Sequence, residues 1–121
     1  MAHEDLPFSG VRVLDLSQGV AGPYCGMHFA RNGADVVKLE PPGTGCWSRQ
    51  LGKAIGDQTA HSVVVHRGKR SLAVDLKPPE GLEIAKRLEA SYGVPVAAWR
   101  SYSSISGRAI ASPVMKMSWT L

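Results

Sequence analysis

The spacing of apolar and polar residues changes period several times between Val11 and Ala90, and each change marks an element. Val11-Arg12-Val13-Leu14-Asp15-Leu16 is a β-branched, apolar run, the pattern of a buried strand. Gly19, Gly22 and Pro23 interrupt it. Pro23 suits the first position of a helix, where its missing N–H costs nothing. A helix is expected from about Pro23 to Asn32, with Gly33 as a left-handed cap. Val36-Val37-Lys38-Leu39-Glu40 reads as a second strand, stopped by Pro41-Pro42-Gly43.

Beyond it, Pro41 to Ala60 is polar and punctuated by glycine, a loop or a set of short helical turns. Ser62-Val63-Val64-Val65-His66 is too short for its pattern to separate a strand from a buried helix end. Arg67-Gly68-Lys69-Arg70 is a basic turn. Ser71 to Leu76 alternates and predicts a strand, with its core at Leu72–Leu76. Glu80 to Ala90 is an amphipathic helix, with Gly81, Ile84, Ala85 and Leu88 on one face. Val94 to Trp99 offers a fourth strand, which Pro95 confines to an edge or a bulge. Strands alternating with helices predict an α/β fold with a parallel sheet and right-handed crossovers. Such a fold aims helix N-termini and bare backbone N–H groups at the carboxyl ends of its strands, where phosphorylated ligands bind.

Composition changes at Ala90. From there to Leu121 there is no Asp or Glu, and Ser101, Ser103, Ser104, Ser106, Ser112 and Ser118 crowd a stretch without amphipathic period. Residues 1–90 are therefore read as one α/β unit. Residues 91–121 are read as a divergent tail, irregular or poorly ordered from about Ser101. The loss of pattern points to a shifted reading frame or a truncated product.

The net charge of +4 favours an anionic ligand, but no basic stripe interleaved with aromatics argues for nucleic acid. The start MAHEDLPFSG has neither a basic nor an apolar leader segment, which predicts a cytoplasmic chain with Cys25 and Cys46 reduced. No apolar run approaches membrane-spanning length. Cys46, His61 and His66 match no standard metal-ligand spacing, so no metal site is expected. A dinucleotide-binding reading stays open as the alternative. Glu40 follows the glycine turn at the distance of a ribose-binding acid, although Gly19 to Gly22 is not G-x-G-x-x-G.

Three segments at their spacings carry a resemblance: LPFSGVRVLDLSQGVAGPYCGM from Leu6, GADVVKLEPPGTG from Gly33, and RGKRSLAVDLKPPEG from Arg67. With the helix that follows, Leu6 to about Glu89 resembles the N-terminal part of the class III CoA-transferases. That family includes formyl-CoA transferase, the carnitine CoA-transferases and α-methylacyl-CoA racemase. The resemblance implies a Rossmann-like domain and an interlocked dimer of ring-shaped chains, a dimer not expected of this chain alone. It implies acyl-CoA and carboxylates as substrates, with no tightly bound cofactor. It implies covalent catalysis in which an aspartate attacks the thioester and carries the acyl group as an anhydride. Val20 and Ala21 occupy the place of the family's first CoA-contacting loop. Val74, Asp75, Leu76 and Lys77 match the segment that meets the nucleotide part. Pro41 stands where some members carry a nucleotide-binding arginine. The family's strand and Asn/Phe-Arg-Pro-Gly loop after the helix are replaced here by SYGVPVAAWRSYSS, and no acid after Glu89 matches the catalytic aspartate. The chain is thus expected to lack a catalytic residue and to be inactive alone.

Overall fold

The computed structural model describes residues 5–92 and the backbone of 94–96. Its sheet is built from β1 (Arg12–Asp15), β2 (Asp35–Glu40), β5 (Arg70–Ala73) and β6 (Val94–Val96), in the order β5-β2-β1-β6. Every pairing is parallel: Val13 opposes Val36 and Val94, and Val37 opposes Arg70. Helix α1 (Ala21–Arg31) links β1 to β2, α2 (Ala60–His66) precedes β5, and α3 (Pro79–Tyr92) leads to β6. A two-stranded antiparallel ribbon, β3 (Ala54–Ile55) and β4 (Gln58–Thr59), and a 3₁₀ turn at Trp47–Gln50 fill the loop after β2. The chain leaves β1 toward one side and returns by β6 on the other. The order therefore reverses between β1 and β6, the crevice where open α/β sheets place ligands.

The period of two in β1 and β2 sorts side chains between the faces. Leu14, Val37 and Leu39 join Ala85 and Tyr92 of α3, with Leu16, Leu76 and Leu88 packed beside them. Val13 and Val36 face the other way, against Ala30 of α1 and Ala34. The buried stripe of α3 is Gly81, Ala85 and Tyr92, whose spacings of four and seven hold to one helix face. Ile84, expected on that face, lies at its border and is 46% exposed. In α1 the buried residues are Pro23, Gly26, Met27 and Ala30. Its cap at Val20 places Pro23 third rather than first, still inside the turn whose N–H groups lack intrahelical partners. Gly33 has φ of +100° and ends the helix as expected.

One element that the sequence left open is settled and one differs from the sequence reading. Residues 60–66 are helical, because Thr59 and Ser62 form a reciprocal capping box that nucleates the turn. The strand expected at Leu72–Leu76 is instead Arg70–Ala73. As an edge strand β5 pairs only with β2, the register ends at Glu40 opposite Ala73, and Pro41 carries no N–H to continue it. Pro95 lies on the opposite edge strand, facing Leu14, as its missing donor requires. The serine-rich tail from Ser101 lies outside the described residues.

Candidate functional site

The carboxyl edge of the sheet carries both segments expected from the resemblance to meet CoA. Val20 and Ala21 open α1 directly after the glycine turn, and both are exposed. Gly19 there has φ of +84°, and its N–H donates to Cys46 Sγ at 3.4 Å. The indole of Trp47 lies so close over Gly19 that a side chain there would have to displace the ring as well as adopt a positive φ. Val74 to Lys77 follow β5. Val74 is buried and donates its N–H to the Glu40 carbonyl at 3.0 Å. Leu76 packs into the α3-side core, while Asp75 and Lys77 are exposed. Asp75 Oδ1 accepts the Lys77 N–H at 3.0 Å and closes the turn. Val74 and Leu76 therefore present only backbone to a ligand, whereas Lys77 presents its ammonium. Two strand spacings, roughly 10 Å, separate the β1 end from the β5 end. A ligand touching both must be extended.

Between these segments, the sheet face beneath α1 and α2 turns from apolar to ionic. Val13 and Val36 give way to Asp15, Lys38 and Glu40, all three buried. Asp15 is wholly buried; its Oδ1 accepts the Ser17 N–H at 2.9 Å and the Ser17 hydroxyl, and its Oδ2 accepts Lys69 Nζ at 2.7 Å. Lys38 Nζ donates to Asp15 Oδ1 at 3.3 Å and to the Ser17 carbonyl. Lys69 Nζ also donates to the Pro23 carbonyl at 2.6 Å. Burial pulls the Lys69 pKa below the usual lysine range, against the opposing pull of Asp15.

Glu40 ends β2 and is gripped from both sides. Arg49 binds it through Nε and a terminal nitrogen at 2.8 Å each, and the Cys46 N–H adds a third bond at 2.8 Å. Burial alone would raise its pKa, but the Arg49 and Cys46 hydrogen bonds prevail and hold it at about 2. The side chain is thus fully committed and unavailable to a ribose, which removes the residue that favoured a dinucleotide site. His66 Nε2 meets Ser48 Oγ at 2.8 Å; burial, then the Lys69 charge, pushes its pKa down to about 4. A cavity of about 230 Å³ lies over Lys38, Glu40, Arg49 and His66, and none of Val20, Ala21 and Val74 to Lys77 lines it.

Both titrations make stability fall on acidification. His66 takes its proton more readily when unfolded, so stability declines as pH drops from 6.5 toward about 4. Glu40 also protonates first in the unfolded chain, so a second decline runs from 4.5 toward about 2. Urea midpoints measured across this range are expected to fall in two stages. His66→Gln should abolish the first stage and leave the second.

Sequence reasoning singles out Lys77 and misses Lys69 and Arg49, although Lys69 lies in the basic turn at residues 67–70. Arg70 pairs with Asp35 at 2.6 Å, at the amino end of the sheet, and both are substantially exposed. Among the described residues no group of three or more His, Cys, Asp or Glu could hold a metal. No helix among them is long and apolar enough to cross a membrane. Both cysteines are free thiols.

The parallel order, the ligand crevice and the glycine turn define a Rossmann-like α/β unit. Residues 8–100 match CoA-transferase family III, and the chain belongs to that family. The matched span passes the change of composition at Ala90 and takes in β6. Over 85 residues the chain is 40% identical to human succinyl-CoA:glutarate CoA-transferase, covering 69% of this chain and 19% of that protein. Over 83 residues it is 43% identical to succinyl-CoA–D-citramalate CoA-transferase of Chloroflexus aurantiacus, covering 68% and 21%. Among solved structures, a CAIB/BAIF family protein from Brucella suis superimposes with a TM-score of 0.69 at 29% identity, over 83% of this chain and 31% of that one. The chain spans about a fifth of the length of the curated relatives it matches.

Proposed function

We propose that this chain is the CoA-facing N-terminal portion of a class III CoA-transferase, which binds an acyl-CoA thioester along the carboxyl edge of its sheet. The observation that carries the reading is the shared edge. The glycine turn at Val20 and Ala21 and the Val74–Lys77 segment end parallel strands at the same edge, at a separation that suits an extended ligand. Backbone N–H groups at the start of α1 and the Lys77 ammonium suit the anionic and polar parts of CoA. The named relatives act on succinyl-CoA, which supports CoA thioesters and carboxylates as the substrate class.

Transfer in this reading forms a bond between an aspartate carboxylate and the thioester carbonyl and releases CoA as its thiolate, leaving an acyl anhydride. The acids described at this edge do not suit that role. Asp15 is locked between two lysines, Glu40 is held by Arg49, and Asp75 caps its own turn. The chain alone is therefore a binding unit without turnover.

Calorimetric titration with CoA tests this directly. Weak, salt-sensitive binding is expected. Lys77→Ala should reduce affinity about tenfold, the size of one charge-assisted hydrogen bond. Absence of binding, or turnover of an acyl-CoA that survives Asp75→Asn, overturns the reading.

A further inference from the structure

The buried cluster at the end of β1 does more than fill space. Its bonds close on the two ends of the turn that presents Val20 and Ala21. At the strand end, Asp15 takes the Ser17 N–H and hydroxyl, and Lys38 takes the Ser17 carbonyl. At the helix end, Lys69 takes the Pro23 carbonyl, which lies within the first turn of α1. The same ammonium reaches Asp15 Oδ2, so among the described residues Lys69 joins both ends. It arrives from 54 positions along the chain, out of the turn between α2 and β5. Its side chain is 1% exposed.

Packing alone does not explain this arrangement. The other end of the same sheet face is filled by Val13, Val36 and Ala30, with no polar group among them. Taking an ammonium out of water costs several kcal/mol, and a buried ion pair returns that only when its geometry and further hydrogen bonds are good. What such a cluster does supply is direction, because its hydrogen bonds fix backbone atoms that apolar contacts leave free to slide. The surrounding sequence makes room for it. A methyl group at Gly26 would stand 2.7 Å from Asp15 Oδ2 and 3.0 Å from Lys69 Nζ.

We infer that Lys69 is a positioning residue for ligand binding, holding the turn at residues 16–23 in the shape that presents Val20 and Ala21. The inference deepens the CoA-binding reading and rests on it for the identity of the ligand. It acts on one end of the site only. The Val74–Lys77 segment has its own closure through Asp75, and its backbone bond to the sheet runs from the Val74 N–H to the Glu40 carbonyl rather than to Lys69.

Lys69→Met tests this with two measurements. The first is titration with CoA and, separately, with adenosine 3′,5′-bisphosphate, which carries the nucleotide part assigned to Lys77. Affinity for CoA should fall about tenfold while affinity for the bisphosphate stays at the wild-type value. A merely structural lysine would weaken both ligands together. The second is hydrogen exchange of the Ser17, Gly19 and Tyr24 amides, bonded to Asp15 Oδ1, Cys46 Sγ and the Val20 carbonyl, which should quicken at least tenfold while β1 and β2 keep their protection. If Lys69→Met does not fold, Lys69→Gln, which keeps a neutral donor for the Pro23 carbonyl, carries the same two measurements.

A folded variant with unchanged turn exchange and unchanged CoA affinity overturns the inference, as does an equal loss for both ligands. If wild type binds no CoA but the turn still loosens in the variant, the positioning role stands and the CoA reading falls.

Discussion

Asp15→Ala is expected to lower the stability of the chain by about 3–5 kcal/mol, the range for removing one member of a buried ion pair. Asp15 has no solvent exposure, and the two ammonium groups it faces belong to side chains that are 1% exposed. Alanine leaves both lysines buried without a counter-charge and strips the Ser17 N–H and hydroxyl of their acceptor. A small domain holds only about 5–15 kcal/mol in total, so the variant should sit close to unfolding at room temperature. Denaturation by urea, followed by circular dichroism, measures the loss. Adding Lys69→Met to Asp15→Ala should recover part of it, because one orphaned charge leaves with its side chain. A loss below about 1 kcal/mol would mean that both ammonium groups find water, contrary to their burial.

The ion cluster also explains which parts of this molecule could be read in the sequence. The apolar, β-branched runs Val11 to Leu16 and Val36 to Glu40 placed both central strands, since each buries apolar side chains on both faces. The glycine turn and Pro23 located the start of α1 to within two residues. These signals are local, and local chemistry sets them. What Asp15, Lys38 and Glu40 do could not be read the same way. Each looks like an ordinary strand-end charge, and its partner is fixed by topology: Lys69 is 54 positions from Asp15, and Lys38 is 23. Glu40 and Arg49 are only nine apart, but the loop joining them must fold back before the pair exists. The Val63 to Val65 run was ambiguous for a different reason. Three β-branched residues favour a strand on propensity, and the capping box at Thr59 and Ser62 overrides them.

Lys77 enters the proposed site through the family resemblance, and its placement depends on a close approach that glycine alone permits. Gly81→Ala is expected to destabilise the chain by about 2 kcal/mol, against the usual sign for this exchange within a helix. Alanine in place of glycine ordinarily favours a helix by about 1 kcal/mol. Gly81, however, is buried in the first turn of α3, where that helix rests on the loop after β5. An added Cβ would overlap the Asp75 carbonyl oxygen, lie 2.9 Å from its carbon and stand 3.4 Å from Val74 Cγ1. The obstacle is backbone, so no rotamer change relieves it, and overpacking of this kind costs about 1–3 kcal/mol or more. Relief requires α3 to lift or the Val74–Lys77 segment to shift. The second route breaks the bond from the Lys77 N–H to Asp75 and moves the ammonium assigned to the ligand. Thermal unfolding should therefore show a lower midpoint, and CoA titration of the folded fraction should show a loss approaching that of Lys77→Ala. A Gly81→Ala variant that is more stable than wild type and binds CoA equally well would refute both the close packing of α3 on this loop and the part given to Lys77.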